Sequence, residues 1–336
     1  MTRMSIRSIT LAAATAILTA VAGSQSALAE TVIKFSFELP VTHSFATAAD
    51  RFAKEVAEKT GGEVKIQLYP AGQLAKDSNF VKSITAGTID GGLSPTLYWT
   101  GVMPLAGIFD VPYLVRSHDE AKTVLNSPVG DRLLAKLADF NSVGIGYFNY
   151  GFGIFGNNVR PLKTPSDLKG LKVRTNNDIG SKLLQTFGAS PTFMSGSEVF
   201  LGLQRGTVDG SHTGLSSMVS RKMYEVVKYL TIDNHNMIPY FVIIRKDVFD
   251  GLKPEYQAAV REAARNAGNW AAEQQVIEDR DAVAELEKRG VQIIDLNPEQ
   301  LEIWSKTAQP VTDFWLTRVG DEGKEMITQV NKILGR

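Results

Sequence analysis

The sequence predicts an α/β fold built from two similar lobes. Segments typical of strands and helices alternate along the chain, an order that places helices on the faces of a mainly parallel sheet. The segment AGTIDGG (86–92) returns as RGTVDGS (205–211), each time after a helical pattern. With 336 residues, 43% of them apolar and 21% charged, the chain is long enough for two lobes with an ordinary globular composition.

The first strand-and-helix unit begins at TVIKFSF, a β-rich run near residue 31. Helical spacing places four apolar residues on one face of the next segment: Phe45, Ala49, Phe52 and Val56. Gly61 and Gly62 end this predicted helix. The segment EVKIQLYP is a second strand, SNFVKSITAG is a short helix, and TIDGGL leads into a third strand.

The second unit repeats this order from residue 164 onward. Pro165 follows Thr164 at an early helical position, and LKVR then forms a strand. The segment DIGSKLLQTFG is predicted to be a helix that ends at Gly188. Ser195 and Glu198 lie three residues apart, the spacing of a capping box at the start of another helix.

Two further elements are predicted to connect the lobes. The segment IPYFVIIRKDVF is continuously apolar, as in a strand buried on both faces. A helical pattern covers about 254–289 and, at 1.5 Å per residue, spans roughly 50 Å, so it crosses both lobes. We therefore expect lobe I to contain 30–150 plus 240–278, and lobe II to contain 151–239 plus 279–336.

The N-terminus has the features of a secretory signal peptide, residues 1–29. Arg3 and Arg7 precede an apolar stretch at 9–22, and Ala27-Leu28-Ala29 fits a cleavage site. An uncleaved signal anchor is the alternative. Cleavage after Ala29 leaves 34 basic against 36 acidic side chains, a charge of −2. The chain has no cysteine, which excludes disulfides and a lipid-anchored N-terminal cysteine and favours a freely soluble periplasmic protein.

The sequence contains no G-x-S-x-G, no H-E-x-x-H and no P-loop motif. The 36 basic and 36 acidic residues are balanced and form no basic run, which argues against nucleic acid as a partner. GFGIFG (151–156) matches G-x-G-x-x-G, but no helix pattern follows it, so a crossing strand is favoured over a cofactor site. We expect no cofactor and no catalytic residue.

The four histidines show no metal-ligand spacing, and no metal site is expected: His43, His118, His212 and His235. His43, at a helix start, and His212, just after VDG, could line a cleft.

DLKGLKVRTNN (167–177) contains the main candidate for a binding site. Arg174 ends a short strand, and ligands of open parallel sheets bind beyond the carboxyl ends of the strands. A guanidinium can hold a carboxylate through two parallel hydrogen bonds. Asn176 and Asn177 could add polar contacts. The alternative is an exposed arginine in a turn.

Several segments together resemble the DctP-type substrate-binding proteins of tripartite ATP-independent periplasmic (TRAP) transporters: FAKEVAEKTGGEVKIQLYPAGQL, AGTIDGG, DLKGLKVRT, FGASPTFMSGSEVFLGLQRGTVDG and MYEVVKYLTIDNH. The resemblance implies a type II periplasmic-binding-protein fold, with two α/β lobes, crossing strands and a long helix that spans both. It also implies a small organic acid as ligand, a membrane permease as partner, and a monomer. The carboxylate-binding arginine of the family falls on Arg174.

Other family positions match less well. A second ligand arginine of sialic-acid-binding relatives falls on Ile154, an aromatic residue falls near Gly196, and an asparagine falls on Thr213. These departures argue against sialic acid. The resemblance implies that eight further residues face the cleft: Glu38, His43, Thr96, Tyr98, Asn177, Phe193, Thr213 and Tyr240.

The identity of the ligand stays open at this stage. Sugar acids, C4-dicarboxylates, 2-oxo or hydroxy acids and aromatic acids all agree with a single dominant arginine. Two other functions are also open: an enzyme on the same fold that acts on a small acid, and a ligand sensor that signals to a membrane receptor. The enzyme requires a paired acid and base or a metal, which the sequence does not display.

Overall fold

A computed structural model describes residues 30–336, and the predicted signal peptide lies outside this range. The strands are β1 Thr31–Ser36, β2 Val64–Tyr69, β3 Gly91–Pro95, β4 Ser142–Asn157, β5 Lys172–Thr175, β6 Ser190–Phe193, β7 Gly210–Gly214, β8 Tyr229–Ile232, β9 Met237–Arg245 and β10 Gln292–Asp295. The α-helices are α1 Ser44–Lys59, α2 Asp77–Thr85, α3 His118–Leu125, α4 Pro128–Lys136, α5 Asp178–Thr186, α6 Val199–Gln204, α7 Leu215–Ser220, α8 Lys246–Asp250, α9 Pro254–Lys288 and α10 Pro298–Ile333.

The strands form one continuous sheet with two similar halves. Its order is β2-β1-β3-β9-β4-β7-β5-β6, with β8 paired to β4 and β10 paired to β8. In the first half, β1 is parallel to β2 and β3, and β9 is antiparallel to β3. In the second half, β5 is parallel to β6 and β7, and β4 is antiparallel to β7. The predicted α/β fold with two related units is therefore confirmed.

The repeated sequence segment makes the same contacts in both halves. Asp90 accepts a hydrogen bond from the Lys34 backbone N–H at 3.0 Å, and Asp209 accepts one from Lys172 N–H at 2.8 Å. Each aspartate thus connects the start of β3 or β7 to the first strand of its own unit. Gly87 and Gly206, just before these aspartates, have φ of +74° and +70°, which favours glycine at both places.

Strand β4 connects the two halves. It pairs with β9 as far as Phe152 and with β7 from Gly153 onward. The register shifts between Asn149 and Phe152, where Gly151 has φ of +89°. The segment GFGIFG therefore lies in a crossing strand, as predicted, and starts no helix that could bind a dinucleotide.

Helix α9 packs against both halves, as its length predicts. Its N-terminal part buries Val260, Ala263 and Ala267 in a cluster with Phe35 and Phe148. Further along, Ala282 and Leu286 belong to a second cluster, which contains Ile154 and Leu230. The assignment of residues to lobes at 150, 240 and 279 stays a prediction.

Local differences from the prediction are small. Pro165–Leu168 is a 3-10 helix rather than the start of an α-helix, and a capping box between Thr164 and Asp167 caps its N-terminus. The capping box of Ser195 and Glu198 is present as predicted. None of the helices within residues 30–336 combines the length and apolar character needed to cross a bilayer.

Candidate functional site

Arg174 lies near the carboxyl end of β5, with its side chain 3% exposed. The neighbouring Val173 belongs to the hydrophobic core, and because side chains alternate along a strand, Arg174 points to the opposite face. Its Nε donates to the Met194 carbonyl at 2.8 Å and its Nη1 to the His212 carbonyl at 3.3 Å. The buried guanidinium is therefore held in place by carbonyl groups and not by a carboxylate.

A cavity of about 40 Å³ lies beside this guanidinium, between the two halves of the sheet. The residues that line it are Asp77, Pro95, Leu97, Tyr98, Tyr150, Arg174, Asn176, Gly196, Val199, Ser211, Thr213, Ser217, Arg221, Met223, Ile238 and Tyr240. They include residues of β3 and β9 in the first half of the sheet and of β5 and β7 in the second, together with residues of β4, α2, α6 and α7. This is the position where ligands bind in open α/β sheets.

Arg221 brings a second guanidinium to the cavity. A methyl group built on Gly196 would lie 3.6 Å from Arg221 Nη2 and 3.9 Å from Arg174 Nη2. The two nitrogens therefore cannot be further apart than the sum of these distances, and one small anion can contact both. Ile154, where the family resemblance locates a second arginine in some relatives, is buried in the core and does not line the cavity.

Glu38 is a buried carboxylate with several partners. Ser195 Oγ donates to it at 2.9 Å, and the backbone N–H groups of Asp77 and Ser197 also donate to it. Ser195 and Ser197 belong to the second half of the sheet, whereas Glu38 follows β1 in the first half. Glu38 thus connects the two sides of the cleft, and its oxygens already have protein donors.

Asp77 is a second buried carboxyl, 4% exposed, and it lines the cavity. Its Oδ1 has no hydrogen-bond partner among residues 30–336. Burial and the nearby Glu38 charge raise the pKa of Asp77 well above its usual range, although Arg221 and Arg174 oppose this. Asp77 therefore has hydrogen-bonding capacity that the protein does not use.

Three tyrosines form the aromatic part of the lining. Tyr98 Oη accepts from Arg174 Nη2 at 3.1 Å, and Tyr150 Oη lies 3.2 Å from Thr213 Oγ1. The rings of Tyr150 and Tyr240 lie 5.5 Å apart between centroids. Such side chains offer both apolar surface and hydroxyl groups to a guest.

The structure brings four of the nine predicted ligand residues to the cavity lining: Tyr98, Arg174, Thr213 and Tyr240. The other five lie outside it: Glu38, His43, Thr96, Asn177 and Phe193. Thr96 and Asn177 are buried nearby, whereas Phe193 is 61% exposed at the end of β6. Ligand contact by each of the nine residues stays a prediction.

Two of the five have structural partners that explain their position. Asn177 caps α5 through Gly180 N–H at 2.7 Å, and its Nδ2 donates to Asp110 at 2.8 Å. His43 caps α1 through Phe45 N–H, and its Nε2 lies 3.1 Å from Ser216 Oγ across the cleft. Burial, with the nearby Arg221 charge, lowers the pKa of His43 to about 3, so its imidazole is neutral.

The other predicted cleft histidine, His212, does not line the cavity, but its carbonyl contacts Arg174. Its carbonyl accepts from Arg174, while its Nδ1 lies 3.3 Å from His235 Nε2. His235 Nδ1 in turn lies 2.9 Å from Asp233 Oδ2. Burial lowers the pKa of His212 well below its usual range. This buried series of polar contacts supports β7, the strand that pairs with β5 at Arg174.

Sequence reasoning missed Asp77, Tyr150 and Arg221 as cavity residues. Asp77 lies at the start of α2 and Arg221 directly follows α7, so both reach the cleft only through the tertiary packing of the two halves. Asn176, named as a polar contact from the sequence, does line the cavity. In the described part of the chain, no group of three or more acidic or histidine side chains is arranged to hold a metal ion.

Comparison with known proteins agrees with this geometry. Residues 35–318 match the model of a family described as bacterial extracellular solute-binding protein, family 7, or DctP. The chain belongs to this family. A relative from Escherichia coli K12, the 2,3-diketo-L-gulonate-binding periplasmic protein YiaO, is 36% identical over 293 residues, which cover 87% of this chain and 88% of the relative.

Two further DctP family members are similar along most of the chain. The C4-dicarboxylate-binding periplasmic protein DctP of Rhodobacter capsulatus is 32% identical over 305 residues, 88% of this chain and 90% of the relative. The crystal structure of the sugar acid binding protein DctPAm from Advenella mimigardefordensis, in complex with galactonate, superposes with a TM-score of 0.87 at 26% identity. That match covers 90% of this chain and 99% of the other. The type II periplasmic-binding fold and the TRAP solute-binding family are thus confirmed.

Proposed function

We propose that this DctP family protein captures a small organic acid in the cleft between its two lobes and delivers it to a TRAP-type membrane permease. In this proposal, the Arg174 guanidinium binds the carboxylate of the ligand. Arg221 adds positive charge, and the tyrosines contact the body of the ligand. Because the site is buried, a charge-assisted pair there is stronger than one on the surface.

One observation carries this proposal. Arg174 is a buried cation whose hydrogen bonds go to two carbonyls and a tyrosine, and it lines a cavity. A buried charge is unfavourable without an opposite charge beside it. A ligand carboxylate would supply that charge, and the guanidinium geometry suits its two oxygens.

Uptake of the ligand requires the lobes to move. A cavity of about 40 Å³ accommodates only a few water molecules, so the cleft has to open before a larger acid enters. We propose that lobe I (30–150 plus 240–278) and lobe II (151–239 plus 279–336) open by a hinge motion. The irregular part of β4 around Gly151 is suited to absorb it, since hinges are a few residues that change φ and ψ.

The cellular setting is part of the same proposal. We infer a periplasmic monomer, exported with a signal peptide that is cleaved after Ala29. Its partners are then a small carboxylate and the permease subunits, and nucleic acid is not among them. The protein binds and releases its ligand without chemical change, because a binding receptor has to hand over its cargo intact.

A thermal-shift screen against a library of organic acids tests this proposal. A ligand that binds only the folded state raises the melting temperature, by an amount that grows with its concentration above Kd. We expect one class of carboxylates to give a shift, and the Arg174→Ala variant to lose it. Ligand recovered unchanged after prolonged incubation distinguishes a receptor from an enzyme. Failure of every carboxylate to shift the wild-type protein would contradict the proposal.

A further inference from the structure

Arg318, in helix α10, contacts both halves of the sheet from outside the cavity. Its Nη1 is paired with the Asp178 carboxylate at the start of α5, and its Nη2 donates to the Thr100 carbonyl at 3.2 Å. Thr100 Oγ1 also donates to Asp178 Oδ1 at 3.4 Å. Thr100 follows β3 in the first half, whereas Asp178 follows β5 in the second half. One guanidinium therefore connects the two sides of the cleft.

The two segments that Arg318 connects also carry residues of the cavity. The Leu97 carbonyl accepts from Asn177 Nδ2 at 3.2 Å, and Tyr98 Oη accepts from Arg174 Nη2 at 3.1 Å. Tyr98 and Arg174 line the cavity, whereas Arg318 does not. Arg318 thus lies at the end of a row of contacts that sets the separation between Tyr98 and Arg174.

Trp315 fixes the position of this part of α10. It lies three residues before Arg318, so the two side chains share one face of the helix. Trp315 is fully buried, and its Nε1 donates to the Pro104 carbonyl at 2.8 Å. A methyl group on Gly107 would collide with both Trp315 and Ile179 of α5. This close packing holds α10 against α5, which directs Arg318 to the start of that helix.

We propose that Arg318 is a positioning residue for ligand binding. By joining Thr100 to Asp178, it stabilises the closed cleft in which Tyr98 and Arg174 meet the ligand. This inference rests on the proposed function, since it assumes that the cleft closes around an organic acid. A contact that forms only when the two sides meet shifts the equilibrium toward the closed state by its own free energy. Helix α10 thereby takes part in binding without contacting the ligand.

The chain offers a matched ion pair on the same helix. The side chains of Arg318 and Asp178 are 25% and 45% exposed, and pairs of such exposure contribute modestly. Arg132 and Glu322 are 32% and 36% exposed and lie 2.6 Å apart. This second pair joins α10 to α4, which precedes β4, and so does not connect the two sides of the cleft. Its loss should affect stability without affecting closure.

Distances between two spin labels test this inference. The chain has no cysteine, so Asn79→Cys in α2 and Gln204→Cys in α6 place one label on each side of the cleft. Double electron–electron resonance is measured without ligand and with succinate, D-galactonate, D-erythronate or pantoate. We expect Arg318→Met to lower the ratio of short to long distances about fivefold, the effect of one partly exposed ion pair. Arg132→Met should leave the ratio unchanged.

Calorimetry with the same four acids connects closure to affinity. For an acid that binds, Arg318→Met should weaken binding by the same factor, mainly through faster dissociation. Arg318→Lys retains the charge beside Asp178 and should restore part of the affinity. In the Asp178→Asn background, Arg318→Met should cost less than in the wild type, because the shared contact is already lost. The melting temperature should fall about equally in Arg318→Met and Arg132→Met, so stability alone does not explain the difference.

Three outcomes would overturn this inference: an unchanged distance ratio in Arg318→Met, an equal change in Arg132→Met, or additive affinity losses from Arg318→Met and Asp178→Asn. Each would leave the carboxylate receptor intact as long as one acid binds the wild-type protein. Failure of all four acids to bind would instead count against the proposed function, while the distance ratio without ligand would still decide the role of Arg318.

Discussion

Glu38 and Asp77 are two buried carboxyls in one cleft, and they differ in what they contact. Glu38 accepts hydrogen bonds from Ser195, Ser197 and Asp77, which come from both sides of the cleft. Asp77 Oδ1 has no partner in the described residues and lines the cavity. The difference shows that two buried carboxyls in one cleft can differ in whether the protein already satisfies them. Unused hydrogen-bonding capacity beside a cavity is the criterion for proposing a ligand contact.

The same criterion applies to the arginines of the cleft. Arg174 contacts carbonyl oxygens and a tyrosine hydroxyl, and so it has no compensating negative charge in direct contact. By contrast, Arg245, which ends β9 and does not line the cavity, is paired with Asp90 at 3.1 Å and with Asp247. These contacts support the proposed ligand-binding role of Arg174, and they show that Glu38 already has protein donors from both sides of the cleft.

The largest effect is expected from Arg174→Ala. Removal of one partner of a buried charge pair costs about 2–5 kcal/mol, and about 1.4 kcal/mol corresponds to a tenfold change. Affinity for the ligand should therefore fall roughly 30- to several-thousand-fold in calorimetry. Arg245→Ala is the matched control and should leave affinity unchanged. Normal ligand binding by Arg174→Ala would remove the distinction between the two arginines.

Glu38→Ala should act mainly on the free energy of unfolding. It leaves the Ser195 hydroxyl and two backbone N–H groups without their acceptor, and unsatisfied buried donors are costly, so we expect a loss of about 2–4 kcal/mol in urea unfolding. Affinity should fall by a similar factor for all carboxylates, since closure is weakened and no ligand contact is lost. Unchanged stability together with a change in ligand preference would contradict the structural role of Glu38.

His43 provides a pH test of the contact across the cleft. Its pKa is lowered from 6.5 to about 3 in the folded protein, so between these values only the unfolded chain takes up a proton at this residue. Stability from neutral His43 is thus present above about pH 6.5 and declines as the pH falls toward 3. From pH 7.5 to 5, the wild type should lose about 2 kcal/mol more unfolding free energy than His43→Asn, which retains a helix cap.

The measurement is a urea titration of both proteins at the two pH values. Because Asp110, whose pKa burial raises to about 7, contributes with the opposite sign, only the difference between the wild type and the variant is informative. Parallel pH dependence of the two proteins would show that His43 is not held neutral by the closed cleft.

Gly196→Ala should have the smallest effect. An added methyl group would meet Glu38, Arg221 and Arg174 at 3.5–3.9 Å, which is ordinary contact, so the melting temperature without ligand should be nearly unchanged. Gly214→Ala is the contrasting variant and should lower the melting temperature, because its methyl group would lie 2.2 Å from the Tyr150 ring and displace a cavity residue. Equal effects of the two substitutions on the melting temperature would contradict the described geometry of the cleft.

The sequence predicted the features that depend on local pattern. The α1 face, the capping box of Ser195 and Glu198, and the length of α9 follow from periodicity and cap residues, and all are present. The repeat at Asp90 and Asp209 predicted two similar units because each segment connects a helix to a strand. In both, the aspartate accepts a backbone hydrogen bond from the first strand of its unit. The burial of Arg174 beside a cavity agrees with its predicted place at a strand end.

The sequence did not predict the features that depend on contacts between the two halves. Asp77 and Arg221 are 144 positions apart in the numbering, and nothing near either residue shows that both line one cavity. Phe193, at the end of β6, has an exposed side chain and does not line the cavity, and its contact with a ligand stays a prediction. The carboxylates also look alike in sequence, and only the count of donors around each one separates Glu38 from Asp77.

A crystal structure of the protein with its organic acid bound tests the central claim most directly. We expect both oxygens of the ligand carboxylate to lie about 2.7–2.9 Å from nitrogens of the Arg174 guanidinium, the length of charge-assisted hydrogen bonds. A ligand carboxylate bound elsewhere, with Arg174 still contacting only Met194, His212 and Tyr98, would contradict the account.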